Sequence, residues 1–228
     1  MRVTRMELAG LTAHVVDRSE SASPTTVVLL HGFGAPGDDL VSLADVVDAP
    51  VRFVFPEAPL ELGGLYGEAR AWWLLDLARL EDELRRGIPR DRRTEIPDGL
   101  PAARAQVMRL LDQVVSRMPT QRLVLGGFSQ GAMLALDVAL HRDVAPDGLV
   151  LMSGTLLAES EWDPRMAKLR DVPVLQSHGR ADGLLPFSIA EVLRDKLRAA
   201  GARVDWHEFV GGHEIPLTVL AAATSFVR

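Results

Sequence analysis

Cysteine is absent from the 228 residues, which excludes disulfides, thiolate-bound zinc or iron–sulfur centres, and any cysteine nucleophile. Basic charge is also scarce: 25 Lys and Arg stand against 31 Asp and Glu, a formal net charge of −6. A surface of that sign matches a polyanion poorly, so nucleic acid is not expected as a partner. Long apolar runs are missing too. The charge-free apolar stretches Leu123–Leu136 and Ile215–Val227 fall short of the ~18–20 residues a membrane-spanning helix needs. Glu7 and His14 interrupt the N-terminal stretch where a secretory leader would carry its apolar core. The expectation is a cytoplasmic protein without a membrane span. What is present is an apolar fraction of 47%, enough for a globular fold, which we expect to be one domain over residues 1–228.

Runs rich in β-branched residues recur at Thr25–Leu30, Val51–Phe55, Leu123–Leu125, Leu149–Met152, Val172–Gln176 and Val204–Phe209. The first five are nearly continuous in apolar character, as strands buried on both faces of a parallel sheet must be. Helical periodicity fills the gaps. Over Pro101–Met118 it places Val107, Leu111, Val114, Val115 and Met118 on one face, with Pro101 suited to a helix start. Ser188–Ala200 and Pro216–Val227 read similarly, the former stopping before Gly201. Strand–helix alternation predicts a mostly parallel α/β sheet with helices on both faces and no large cap. Residues 79–95 break the rhythm, with six arginines and five acids among 17 residues. A solvated helix and loop is the plain reading; a small lid over a site is the functional one.

Gly127-Phe128-Ser129-Gln130-Gly131 follows the strand at Leu123–Leu125 and opens a helical run. This G-x-S-x-G pattern between strand and helix is the mark of a nucleophile elbow. Glycine on either side relieves crowding in the turn, the serine projects above the sheet edge, and the helix N-terminus lends it positive dipole. Serine needs a base to take its proton. In α/β-hydrolases the acid and then the histidine follow the serine. His213, in the turn Val210-Gly211-Gly212-His213 after the last strand, is placed to reach the carboxyl edge; His141 and His207 are not. His178 precedes the best acid, Asp182, and so violates the order. Asp182 follows the strand at Val172–Gln176 and would hold the imidazole's tautomer. The loop His31-Gly32-Phe33-Gly34 after the first of these strands is a source of one oxyanion donor, Phe33 N–H, to be paired with Gln130 N–H. Neither a phosphate-binding loop nor a dinucleotide fingerprint is present, and no histidine spacing suits a metal, so no cofactor is expected.

Together His31-Gly32-Phe33-Gly34, the elbow, Leu151-Met152-Ser153-Gly154, His178-Gly179 with Asp182, and Gly212-His213 resemble the phospholipase/carboxylesterase family of α/β-hydrolases, which includes the acyl-protein thioesterases. The resemblance implies a Ser129–Asp182–His213 triad, an oxyanion hole at Phe33 and Gln130, and cofactor-free hydrolysis of carboxylic esters or thioesters; a small-molecule ester of small to medium acyl chain is the expected substrate. Thioester or lysophospholipid cleavage is the alternative, and an inactive scaffold serving as a binding module is the rival from another class. Trp72, Trp73 and Phe187 are candidates for an acyl pocket, with core packing as the competing role. Whether the chain forms a homodimer is left open.

Overall fold

A computed structural model of the chain describes residues 2–64, 67–87 and 91–228. Its main sheet has eight strands in the order β1-β2-β4-β3-β7-β8-β9-β10. They are β1 (Thr4–Leu8), β2 (Leu11–Asp17), β3 (Thr25–Leu30), β4 (Arg52–Pro56), β7 (Arg122–Phe128), β8 (Gly148–Met152), β9 (Pro173–Gly179) and β10 (Arg203–Phe209). β5 (Leu60–Glu61) and β6 (Arg70–Ala71) form a separate short ladder. From β4 to β10 the sheet is parallel. All six predicted strands are found, with ends shifted by a few residues.

The N-terminal hairpin has no counterpart among the predicted strands. β1 and β2 pair antiparallel in a register that sets Leu8 opposite Leu11. The two residues between them, Ala9 and Gly10, have φ of 53° and 77°. Both signs are positive, which matches the right-handed twist of the flanking strands. Asn-Gly would have announced such a turn; Ala-Gly does not.

Alternate residues along the central strands feed two cores. Val28, Leu30, Leu125, Leu149 and Leu151 face one side, under α3 (Leu100–Arg117), α4 (Gln130–His141) and α6 (Phe187–Ala199). Val27, Leu29, Val124, Val150 and Leu175 face the other, under α1 (Leu43–Val46) and α7 (Leu217–Val227). With both faces covered, no polar alternation survives in these strands. α3 buries Val107, Leu111 and Val114 as its periodicity predicts, and Leu110 with them, but Val115 is turned to solvent. Gly201 ends the α6 segment with φ of 90°, a conformation that favours glycine.

A buried charge ties the first layer together. Asp137 on α4 is fully buried, and its carboxylate accepts two bonds from the Arg104 guanidinium of α3 and one from Trp162 Nε1 at 2.8 Å. Trp162 closes α5 (Glu159–Trp162). Asp137, His141 and Glu161 approach closely enough to hold a cation, yet Arg104 already binds Asp137 and Glu161. In the charged segment, α2 (Leu77–Arg86) is an exposed helix whose Arg79 pairs with Glu83 and with Glu95, each at 2.8 Å. Residues 88–90 of that segment, and Tyr66, lie outside the described residues.

Candidate active site

Ser129 sits between the end of β7 and the start of α4 with φ 55° and ψ −118°. A non-glycine residue held there stores on the order of 1–3 kcal/mol, which the surroundings must over-determine. They do so by close packing on β3: a Cβ at Gly131 would lie 2.0 Å from the Leu30 carbonyl oxygen, and one at Gly127 2.4 Å from the same atom. Ser129 N–H donates to the Met152 carbonyl at 2.8 Å, and the Ser129 carbonyl accepts from Ala132 and Met133.

Asp182 and His213 come from neighbouring strands. Asp182 lies in the turn after β9, and His213 in the turn after β10. The turns are laced together by Ala181 N–H to the Gly211 carbonyl at 2.9 Å. They approach so closely that a Cβ on Gly179 would stand 2.2 Å from the Gly212 oxygen. His213 Nδ1–H donates to Asp182 Oδ2 at 2.7 Å, while Oδ1 accepts from the amides of Leu184 and Leu185 at 2.8 and 2.9 Å. Burial pushes the Asp182 carboxyl up, but the His213 and backbone hydrogen bonds outweigh it and hold the group below the ordinary carboxylate range. With Nδ1 committed to the acid, His213 Nε2 carries the lone pair. The His213 ring lies 4.8 Å from the Phe128 ring, beside the elbow. The described residues include no hydrogen bond from Ser129 Oγ to His213; such contacts commonly tighten only when substrate binds.

The two amides assigned to an oxyanion hole have no acceptor among the described residues: neither Phe33 N–H nor Gln130 N–H is used by the backbone. Their surroundings are fixed by side chains whose roles the sequence did not disclose. His31 is buried; its Nδ1–H donates to the Gly32 carbonyl at 2.8 Å and its Nε2 accepts from Ala58 N–H at 3.0 Å. The Gln130 side chain, also buried, accepts from Trp72 N–H and donates to the Trp73 carbonyl, both at 2.9 Å. Trp72 Nε1–H donates to the His31 carbonyl at 2.9 Å. The Trp72 and Trp73 side chains are buried in the core, whereas Phe187 is half-buried against Trp206. The signal for these roles was composition alone: a histidine at a strand end and an amide in the elbow.

The other histidines are elsewhere. His141 ends α4 and donates to the Asp137 carbonyl at 2.8 Å, and His207 lies on β10 beside Asp205. His178 is the exception: it is fully buried on β9, 3.3 Å from the acid that His213 also touches.

A mostly parallel sheet with a strand–serine–helix turn at its carboxyl edge is the architecture of an α/β-hydrolase. A family model described as Phospholipase/Carboxylesterase matches residues 11–228, and the chain belongs to that family. It is similar to acyl-protein thioesterase 1 of Neurospora crassa, 27% identical over 214 residues that cover 89% of this chain and 85% of the relative. The acyl-protein thioesterase 1 of Gibberella zeae is 26% identical over 232 residues, 96% of each chain. Among solved structures, esterase PE8 is similar with a TM-score of 0.78 at 27% identity, over 100% of this chain and 99% of its own. A Bacillus cereus carboxylesterase shares the fold, with a TM-score of 0.70 at 20% identity, over 95% and 93%. No helix among the described residues is long and apolar enough to cross a membrane.

Proposed function

We propose that the chain is a serine hydrolase that cleaves carboxylic esters of small to medium acyl chain through Ser129, His213 and Asp182. The observation that carries this reading is the Asp182–His213 hydrogen bond of 2.7 Å, which leaves the imidazole's other nitrogen as a base beside a strained serine. Ser129 Oγ attacks the carbonyl carbon while its proton passes to His213 Nε2. Asp182 stabilises the imidazolium, and the Phe33 and Gln130 amides receive the oxyanion. His213 then returns the proton to the departing alcohol, and water, deprotonated by the same imidazole, resolves the acyl-enzyme. No step calls for a metal or cofactor.

An acyl substrate is supported by the apolar side chains on the same edge. Leu74, Leu75, Leu184, Val210 and Leu217 are all exposed, on segments that follow the carboxyl ends of β4, β9 and β10. In this reading Trp72 and Trp73 form the floor behind Leu74 and Leu75, and Phe187 flanks the acid turn. Thioester cleavage is the second reading, favoured by relatives that are named acyl-protein thioesterases. The test is a panel of matched oxyesters and thioesters of increasing acyl length, with Ser129→Ala as the blank. Hydrolysis that survives in the Ser129→Ala protein refutes the mechanism, and the ratio of kcat/KM between the two series decides the leaving group.

A further inference from the structure

Asp182 Oδ2 faces two imidazoles, and the mechanism uses only one of them. His213 Nδ1 is 2.7 Å away, and His178 Nε2 is 3.3 Å away with its whole side chain buried. The same His178 nitrogen lies 2.9 Å from the Leu185 carbonyl. A carbonyl can only accept, so Nε2 carries the proton. Leu185 also gives its N–H to Asp182 Oδ1. His178 therefore closes a loop that runs from β9 through the acid turn and back. Its own Nδ1 is buried and makes no well-formed hydrogen bond among the described residues, although the Gly154 carbonyl also pulls on the ring. For packing alone that is a costly choice, since an apolar side chain would fill the space without orphaning a polar atom.

We infer that His178 is a positioning residue for the acid: its Nε2–H, donated to the Leu185 carbonyl and standing 3.3 Å from Asp182 Oδ2, steadies the carboxylate opposite His213 and offsets part of its negative charge. The inference rests on Asp182 being the triad acid. Burial outweighs the pull of the Leu185 carbonyl and of Asp182 and keeps the His178 imidazole below its ordinary range, hence neutral. The ionisable groups facing it are Asp182 from its own turn and His213 from the turn after β10. The Phe187 ring of α6 packs at 6.2 Å. Glu208, opposite it in the β9–β10 register, is engaged by Arg180 and Trp206, and Glu191 of α6 by Arg194. A neutral N–H dipole beside Oδ2 weakens the carboxylate's hold on the imidazolium, so removing it makes His213 retain its proton to higher pH.

The first test needs no substitution. Nitrogen-15 spectra of the wild-type protein are expected to show His178 as the neutral Nε2–H tautomer at neutral pH; an Nδ1–H tautomer or an imidazolium overturns the inference. In the second, the acid limb of kcat/KM in folded His178→Leu is expected to move up by about half a pH unit, a roughly threefold loss of kcat/KM on the acid side. His178→Gln, which keeps an N–H at that reach, is expected to restore the limb. A limb that stays put or moves down in His178→Leu refutes the role, even if kcat falls. Failure of the triad itself is read separately, as hydrolysis persisting in Ser129→Ala.

Discussion

The side chain of Gln130 and the backbone of Trp72 are joined at 2.9 Å, amide oxygen to peptide N–H, so the residue after Ser129 holds the adjoining segment by its side chain. Its peptide N–H is meanwhile directed to the oxyanion site in the proposed mechanism. The two functions separate on substitution. Gln130→Leu keeps the peptide amide but orphans Trp72 N–H and the Trp73 carbonyl, both buried with the side chain. We expect a loss of about 2–6 kcal/mol in urea unfolding, at roughly 1–3 kcal/mol for each of the two unsatisfied groups. KM for the longer acyl esters should rise more than kcat falls. A stability unchanged within error contradicts the pinning role.

Asp182→Asn tests the acid without removing its bulk. The amide can offer its NH₂ to His213 Nδ1, which then keeps a lone pair there and turns its N–H toward the serine. The expected loss in kcat is about 10³- to 10⁴-fold, the cost of the wrong tautomer. Fluorophosphonate labelling of Ser129 should slow in parallel, and labelling at the wild-type rate contradicts the assignment.

Stability should depend on two buried histidines. Burial holds His31, like His178, below the ordinary imidazole range. In the unfolded chain both rings take up protons near about pH 6.5. Unfolding below that pH absorbs protons the folded state does not bind. Their contribution is thus whole above about pH 6.5 and shrinks as pH falls toward the folded-state values. Asp182, held below the carboxylate range, loses its contribution only in stronger acid. The urea midpoint is expected to drop between pH 7 and 5, with a shallower slope in His178→Gln. A midpoint flat across that interval counts against neutral burial.

Arg104→Met strands the Asp137 carboxylate in the layer between α3 and α4. Breaking such a pair from one side costs about 3–5 kcal/mol. The double substitution Arg104→Met with Asp137→Leu is expected to recover much of that loss, since no buried charge remains. Thermal unfolding of the single and double variants measures both terms.

The sequence disclosed most where local pattern and final environment agree. Thr25–Leu30 and Leu149–Met152 are apolar throughout because both faces of the sheet are covered, and the strands fall there. Gly127 and Gly131 mark the elbow because the Leu30 carbonyl leaves no room for a Cβ. Hidden features had causes remote in the chain. Ala9 adopts a turn conformation its residue type does not advertise, so the β1–β2 hairpin went unseen. Val115 fits the helical period yet faces water, because the α3 face is only as wide as the core beneath it. His178 was set aside by chain order, a rule that identifies a base and is silent on a second imidazole touching the acid.

The placement of β10 has a consequence for how the molecule fails. In the sheet order this strand lies at the edge, with β9 as its one neighbour, and the turn carrying His213 hangs from its end. Edge elements open locally at lower free energy than the centre of a sheet. On warming, catalysis should vanish while far-ultraviolet circular dichroism still reports an intact domain. The gap between the two temperatures measures how firmly one outer strand is held, making turnover a gauge of fraying at the sheet's margin.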